Sequence, residues 1–187
     1  MSYGEESKQA KYKPNVTLQI HNDLVVGKIV VGTMFRDVSN LGTMYEEDST
    51  LAKAADMGYR FAVFDCEHKA FNIETLAVFA QEAHEIGISP WIRPEQSKYA
   101  TISRYADIGF SGFMIPNVMD TTRAQDVVNQ AYYYPIAQNA QIVRGYSLGS
   151  IVLDGQKFET VREELDYANN NMFVVVQTEH PEGIENL

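Results

Sequence analysis

Short apolar runs alternate with longer amphipathic segments along most of the chain. Runs typical of buried strands lie at residues 28–33, 59–64, 88–92, 112–115 and 172–177. Segments with helical spacing of apolar residues lie at 49–57, 72–86, 98–108, 121–132 and 157–170, and residues 181–187 begin another. Runs such as FAVF and FVVV are apolar at every position, as in strands covered on both faces. The pattern therefore predicts repeated βα units, an α/β fold and a parallel sheet.

Two stretches lack this alternation of strand-like and helical segments. Residues 1–26 are polar and then mixed, which predicts an N-terminal arm with a short strand or helix around residues 16–26, ahead of a domain over 27–187. Residues 133–156 lack a clear period and are predicted to be irregular. The chain is thus expected to form one domain preceded by an arm.

Missing nucleotide motifs narrow the choice of parallel-sheet folds. No G-x-G-x-x-G follows the first predicted strand, and no G-x-x-x-x-G-K-[ST] occurs, which disfavours a Rossmann domain and a P-loop. The remaining common architecture is the (β/α)8 barrel, which typically needs ~250 residues. Because the chain has 187 residues, we expect it to cover about the first five strands of a C-terminally truncated barrel.

Composition and charge exclude some classes of protein. The formal net charge of −10 argues against a nucleic-acid binder that relies on a basic face. The single cysteine, Cys66, cannot form an internal disulfide, which indicates a reducing compartment. No apolar run approaches the ~20 residues of a membrane helix, and the polar N-terminus lacks the apolar core of a signal peptide. We therefore expect a cytoplasmic protein without membrane contact.

Polar side chains follow the predicted strands where a barrel holds its active site. Those that follow the second, third and fifth strands are Asp65, Glu67, His68, Arg93, Gln177 and Glu179. An aspartate can orient an imidazole, and a fixed guanidinium can bind a carboxylate or an enolate. Glu179 suits a metal with oxygen ligands. Each has a plainer alternative, because Asp65, His68 and Glu179 could cap helices and Arg93 could be a surface cation.

At these residues the chain resembles the HpcH/HpaI aldolases, the class II pyruvate aldolases related to macrophomate synthase. FDCEHKAFNIETL resembles the D-x-E-H segment of the family, and ISPWIRP resembles its arginine strand. YADIGFSGFMIPNV resembles its D-x-G…P-x-V segment, and YYYP followed by Arg144 and Gly145 resembles its Y-P-P…R-G segment. VVVQTEHPEGIENL resembles its V-Q-x-E-T segment. The five motifs occur in the family's order.

The resemblance implies a TIM barrel of the phosphoenolpyruvate/pyruvate-binding type and a role for each matched residue. His68, paired with Asp65, would be the general base, acting on a metal-bound water or a substrate hydroxyl. Arg93 would bind substrate and stabilise the pyruvate enolate, and Glu179 would be a ligand of Mg²⁺ or Mn²⁺. Substrate binding would also involve the residues Gln177, beside the metal site, and Gly145. The family's second metal-binding carboxylate, in a G-P-x-D-L segment, has no counterpart in this chain.

The function implied is that of an aldehyde-lyase that forms or cleaves 2-oxo acids from pyruvate and an aldehyde, in a homo-oligomer (trimer or hexamer). Three alternatives stay open at this point. The enzyme could use the same enolate in a citrate-synthase-like or decarboxylating reaction. The chain could be a non-catalytic fragment or assembly module. The sequence could also be incomplete, which predicts an in-frame G-P-x-D-L beyond Leu187.

Overall fold

The computed structural model describes residues 15–37, 49–136, 144–146 and 158–186. Its strands are β1 (Gly32–Phe35), β2 (Phe61–Asp65), β3 (Ser89–Arg93), β4 (Gly112–Ile115) and β5 (Phe173–Val176). Its helices are α1 (Val16–Val25), α2 (Thr50–Asp56), α3 (Ile73–Ile86), α4 (Tyr99–Asp107), α5 (Thr121–Ala131), α6 (Val161–Asn170) and α7 (Pro181–Glu185). The strands pair in chain order, all parallel, in one five-stranded sheet. The predicted βα units and parallel sheet are confirmed.

Polar side chains cap the start of five helices. Each of these caps accepts a hydrogen bond from the backbone N–H three residues further on, and they are Asn15, Ser49, Asn72, Asp120 and Thr160. Such caps satisfy N–H groups that have no partner inside the helix. Gly87 ends α3 in the left-handed conformation, with φ 85°, which glycine adopts without a steric penalty.

Two elements begin four residues later than the sequence predicts, and one segment of undecided type is now assigned. The first strand is Gly32–Phe35 rather than residues 28–33, because its pairing with β2 begins at Gly32 opposite Phe61. The β-branched run before it is exposed, and Ile29 is 92% accessible. The helix predicted from residue 157 begins at Val161, where Thr160 and Glu163 form a capping box. The segment around residues 16–26, left open between strand and helix, is helical.

The main core lies between the outer face of the sheet and the helices. Phe64 of β2 is fully buried there and packs against Phe79 of α3, with the ring centroids 5.8 Å apart. Ile92 of β3 and Phe113 of β4 join the same cluster. Because side chains alternate along a strand, Phe61, Val63 and Asp65 point to the opposite, inner face.

Aromatic rings and glycines lie together on that inner face, towards the amino ends of the strands. Phe61 stacks on Trp91 at 4.2 Å, and Trp91 lies 5.2 Å from the ring of Phe173. Gly32 and Gly112 provide the space for these rings, since a Cβ on Gly112 would lie 2.3 Å from the Trp91 ring. Across paired strands, an aromatic ring therefore lies beside a glycine.

Helix α1 covers the amino ends of the strands. The Thr17 hydroxyl lies 2.8 Å from that of Ser89 and 3.1 Å from that of Ser111, residues at the start of β3 and just before β4. Ile20 is also buried, and the ring of His21 lies 6.1 Å from that of Phe173. The described half of the predicted arm thus packs against the sheet. No helix within the described ranges is long and apolar enough to cross a membrane.

Candidate active site

Charged and amide side chains gather where the strands end. Asp65 and Arg93 are the last residues of β2 and β3 and lie opposite each other in the strand register. Arg36 directly follows β1, and Gln177 directly follows β5, with Glu179 two residues further. Parallel strands end at one edge of a sheet, so these residues share the edge where barrels hold their chemistry.

Asp65 and Arg93 form a buried ion pair with two parallel hydrogen bonds. Arg93 Nε donates to Asp65 Oδ1 at 2.9 Å, and Nη2 donates to Oδ2 at 2.8 Å. The Asp65 side chain is inaccessible, and that of Arg93 is 9% exposed. Glu67 Oε2 also lies 3.2 Å from Arg93 Nε. The guanidinium is therefore held in one orientation at the rim, the edge of the sheet formed by the carboxyl ends of the strands.

The environment keeps both members of the pair ionised. Burial acts to raise the pKa of Asp65, but hydrogen bonds from Arg93 and from the backbone of His68 outweigh it and lower the pKa. The pKa of Arg93 is raised, first by its hydrogen bond to Asp65 and further by the charges of Glu67 and Glu179. Glu179, three residues after the end of β5, thus contributes negative charge near Arg93.

The predicted pairing of Asp65 with the His68 imidazole is not what the structure shows. Asp65 Oδ1 accepts a hydrogen bond of 3.3 Å from the backbone N–H of His68. The ring Nε2 lies 3.5 Å from Glu67 Oε2 instead, and the side chain is 58% exposed. Arg93 and the His68 backbone together take three of the roughly four acceptor sites of the carboxylate, and the imidazole lies towards Glu67.

Arg36 is a site residue that the sequence analysis missed. Its Nε lies 3.5 Å from Asp65 Oδ2, and its side chain is 60% exposed. The first strand was predicted to end at residue 33, which placed Arg36 in a loop rather than at a strand end. The apolar G-T-M-F run that precedes it was the available signal.

Gln177 and Glu179 form an oxygen-rich corner on the β5 side. Glu179 Oε2 accepts a hydrogen bond of 3.3 Å from the backbone N–H of Asn117, whose φ of 53° is in the left-handed region. Gln177 Nε2 donates to Glu179 Oε1 at 3.4 Å, and Gln177 Oε1 is buried with no hydrogen-bond partner among the residues that the structure describes. Carboxylate and amide oxygens are what Mg²⁺ prefers.

This corner fits part of a metal site. The unpartnered amide oxygen of Gln177 and the carboxylate of Glu179 are suitable donors, whereas a hard cation takes about six oxygens. Within the described residues, no three His, Cys, Asp or Glu side chains are grouped so that they could hold a metal ion. Further oxygen ligands would have to come from substrate, from water or from residues outside the described ranges.

Gly145 lies against α4. Its backbone N–H donates to the Tyr99 hydroxyl at 2.9 Å, and the neighbouring Arg144 binds Asp107 at 2.7 Å and lies over the ring of Tyr133. The described contacts do not join Gly145 to Arg93 or Glu179. Asp107, from the D-x-G motif, and Arg144, from the R-G motif, thus form an ion pair. Substrate binding by Gly145 stays a prediction.

The chain is similar in sequence to curated aldolases. No family model matches the chain. A hydroxypyruvate/pyruvate aldolase from Pseudomonas aeruginosa is 31% identical over 134 residues, which are 72% of this chain and 47% of that protein. The chain therefore spans about half the length of this curated relative.

Two solved structures extend the similarity to the fold. An HpcH/HpaI aldolase from Desulfitobacterium hafniense DCB-2 has a TM-score of 0.75 and 28% identity, over 89% of this chain and 59% of that one. Citrate synthase SbnG has a TM-score of 0.66 and 25% identity, over 90% of this chain and 59% of that one. The described sheet therefore corresponds to part of a TIM barrel.

Proposed function

We propose that this chain, which belongs to the HpcH/HpaI aldolase family, carries site residues of a metal-dependent carbon–carbon lyase. The enzyme would form or cleave 2-oxo acids through a pyruvate enolate. The observation that carries this proposal is the buried, bidentate Asp65–Arg93 pair, which fixes a guanidinium beside an oxygen-rich corner. Such a fixed cation suits a reaction in which negative charge develops on a substrate oxygen.

Arg93 would stabilise the enolate. Its described hydrogen bonds use Nε and Nη2, both directed to Asp65. Because the guanidinium is oriented before substrate binds, little reorganisation is needed as the charge develops. Asp65 acts as the residue that orients Arg93.

His68 would move the proton. Its exposed imidazole lies at the same edge and is accessible to substrate. In the neutral form, a ring nitrogen can take the proton of a substrate hydroxyl during cleavage and return it during condensation. Asp65 holds the backbone of His68 rather than its ring, so the orientation of the imidazole depends on Glu67 and on the substrate.

Glu179 and Oε1 of Gln177 would hold a divalent ion, Mg²⁺ or Mn²⁺. When bound, such an ion supplies positive charge that polarises the keto group of a 2-oxo acid. Glu179 is kept in place by the backbone of Asn117 and by the amide of Gln177. The substrates we propose are pyruvate and an aldehyde, and a cytoplasmic homo-oligomer remains a prediction.

A second candidate is an enzyme that adds the same enolate to a different acceptor. The similarity to citrate synthase SbnG, at 25% identity, favours keeping this possibility. Both reactions use a stabilised enolate, and the acceptor distinguishes them. Screening aldehydes and 2-oxo acids as acceptors separates the two.

The test of the proposal is aldol addition of pyruvate to an aldehyde in the presence of Mg²⁺. We expect a 4-hydroxy-2-oxo acid as the product. Arg93→Ala should lower kcat/KM by roughly 100- to 1000-fold, as loss of an oxyanion donor does. His68→Ala should lower it by about 100-fold or more.

Controls define what would contradict the proposal. Arg162→Ala removes an exposed cation on α6 and should retain activity. Chelation by EDTA should abolish turnover, and added Mn²⁺ should restore it. Turnover that persists fully in EDTA, or in Arg93→Ala, would show that the proposed mechanism is wrong.

A further inference from the structure

The turn that follows β4 is joined to the segment that follows β5 by three contacts. The backbone N–H of Val118 donates to the carbonyl of Gln177 at 3.1 Å, and Asn186 Nδ2 donates to the carbonyl of Met119 at 2.9 Å. Gly183 of α7 packs closely on the same turn, since a Cβ there would lie 2.8 Å from the Val118 carbonyl oxygen. The two segments are therefore held in one relative position.

Asn117 lies in this turn in a backbone conformation that few residue types adopt. Its φ is 53°, and it is the only non-glycine residue with a positive φ in the part of the chain that the structure describes. Asparagine visits the left-handed region more readily than most residues, whereas β-branched side chains are strongly disfavoured there. The Asn117 side chain is exposed, so its packing does not explain the conformation.

The left-handed conformation determines where the backbone N–H of Asn117 points. That N–H donates to Glu179 Oε2 at 3.3 Å, and Glu179 Oε1 accepts a hydrogen bond of 3.4 Å from Gln177 Nε2. The oxygen and nitrogen of an amide point in different directions, so the bond from Nε2 also sets the direction of the buried, unpartnered Gln177 Oε1. A chain of hydrogen bonds thus runs from Asn117 through Glu179 to the amide of Gln177.

We propose that Asn117 is a positioning residue for the metal site, because its left-handed conformation turns its N–H towards Glu179 and so fixes how Glu179 and Gln177 present their oxygens. This inference rests on the proposed function, in which these two residues hold the divalent ion. An exposed glutamate otherwise samples several rotamers, and ordering it on binding lowers the affinity. The backbone conformation is what matters, so glycine can replace Asn117 and a β-branched residue cannot.

Calorimetric titration of Mn²⁺ into the full chain without substrate tests this role. Asn117→Gly should bind Mn²⁺ within about twofold of wild type, because glycine adopts a positive φ without a steric penalty. Asn117→Val should bind it roughly tenfold or more weakly, as expected when a hydrogen bond to a charged group is lost. Thr122→Val is the matched control, because it places the same side chain at an exposed position of α5 and should leave the affinity unchanged.

Urea unfolding shows whether each variant is folded before its affinity is compared. If Asn117→Val does not fold, Asn117→Ala replaces it with an expected loss of about 3- to 10-fold, because the left-handed region is unfavourable for alanine too. A folded Asn117→Val, or its alanine replacement, that binds Mn²⁺ as tightly as wild type would overturn the inference. Equal weakening in Asn117→Gly would also overturn it, because the side chain and not the backbone would then be responsible.

An NMR titration without metal separates failure of this inference from failure of the proposed function. In ¹⁵N HSQC spectra, the amide proton at position 117 should shift downfield as Glu179 ionises between acidic and neutral pH. The shift should persist in Asn117→Gly and be lost in Asn117→Val and in Glu179→Gln. If wild type binds no Mn²⁺, the metal-dependent part of the proposed function fails, and this titration alone decides the role of Asn117. A position-117 amide that does not respond in wild type would overturn that role.

Discussion

At the scale of single residues, the Asp65 carboxylate organises the rim. It orients Arg93 through two hydrogen bonds and fixes the turn after β2 through the backbone of His68. Arg36 Nε lies 3.5 Å from its Oδ2. Loss of this carboxylate would leave a buried guanidinium without its partner.

Asp65→Asn tests the energetic part of this statement. We expect the free energy of unfolding to fall by about 3–5 kcal/mol, the effect of removing one partner from a buried ion pair. Urea denaturation at pH 7 measures it. Asp166→Asn is the matched control, because that carboxylate pairs with Arg162 on an exposed face of α6, and it should cause no measurable change.

The same variant should change the pH dependence. A pKa lowered by folding stabilises the protein above the unfolded value of ~3.9, and this stabilisation is lost as the pH falls through the folded-state pKa. The stability difference between wild type and Asp65→Asn should therefore shrink in acid. A difference that stays constant from neutral to acidic pH would contradict the assignment.

Which residues reach the rim could be predicted from the sequence, but which of them touch could not. Asp65, Arg93 and Gln177 end or directly follow apolar runs, and parallel pairing brings such positions to one edge. The choice between His68 and Arg93 as the partner of Asp65 depends on competition between side chains. Arg93 binds the carboxylate through two hydrogen bonds, and the sequence pattern does not indicate this choice of partner.

At the scale of single elements, the strands fit together by alternating rings with glycines. Trp91 of β3 lies opposite Gly112 of β4 in the register, and Phe173 of β5 follows on the other side. The glycine lets the indole lie across the neighbouring backbone. Any side chain at this position must displace the ring.

Gly112→Ala should therefore be destabilising beyond the usual effect of the residue. The new Cβ would lie 2.3 Å from the Trp91 ring, and overpacking of this kind costs about 1–3 kcal/mol or more. Thermal or urea unfolding measures the loss. In a double-mutant cycle, Trp91→Leu should relieve part of it, whereas strictly additive losses would show that the two residues do not compete for space.

The boundaries of α3 were predictable from its capping residues. Asn72 and Gly87 delimit α3 as their residue types indicate. The first strand was misplaced because a β-branched run precedes Gly32, and β-propensity alone does not reveal pairing register. Strand pairing with Phe61 selects the later segment.

At the scale of the whole molecule, α1 closes the amino ends of the strands while the site lies at the carboxyl ends. The polar composition of residues 1–26 suggested an arm, yet Thr17 and Ile20 are buried against the sheet. Spacing of apolar residues over only ten positions was too short to show which elements this helix contacts.

Ile20→Ala tests whether α1 belongs to the cooperative fold. Ile20 is 1% exposed, and truncating a buried isoleucine to alanine costs about 2–5 kcal/mol. Val25→Ala, at a 73% exposed position on the same helix, should change stability by less than about 0.5 kcal/mol. Equal, small effects in urea denaturation would show that α1 is not part of the folding unit.

The central claim is that this site generates a pyruvate enolate, and proton exchange at the pyruvate methyl group tests it most directly. In D₂O with Mg²⁺ and no acceptor, ¹H NMR should show loss of the methyl signal that requires the protein. The exchange should stop in EDTA and in Arg93→Ala and continue in Arg162→Ala. Methyl exchange no faster than in the protein-free solution, at any Mg²⁺ or Mn²⁺ concentration, would contradict the claim.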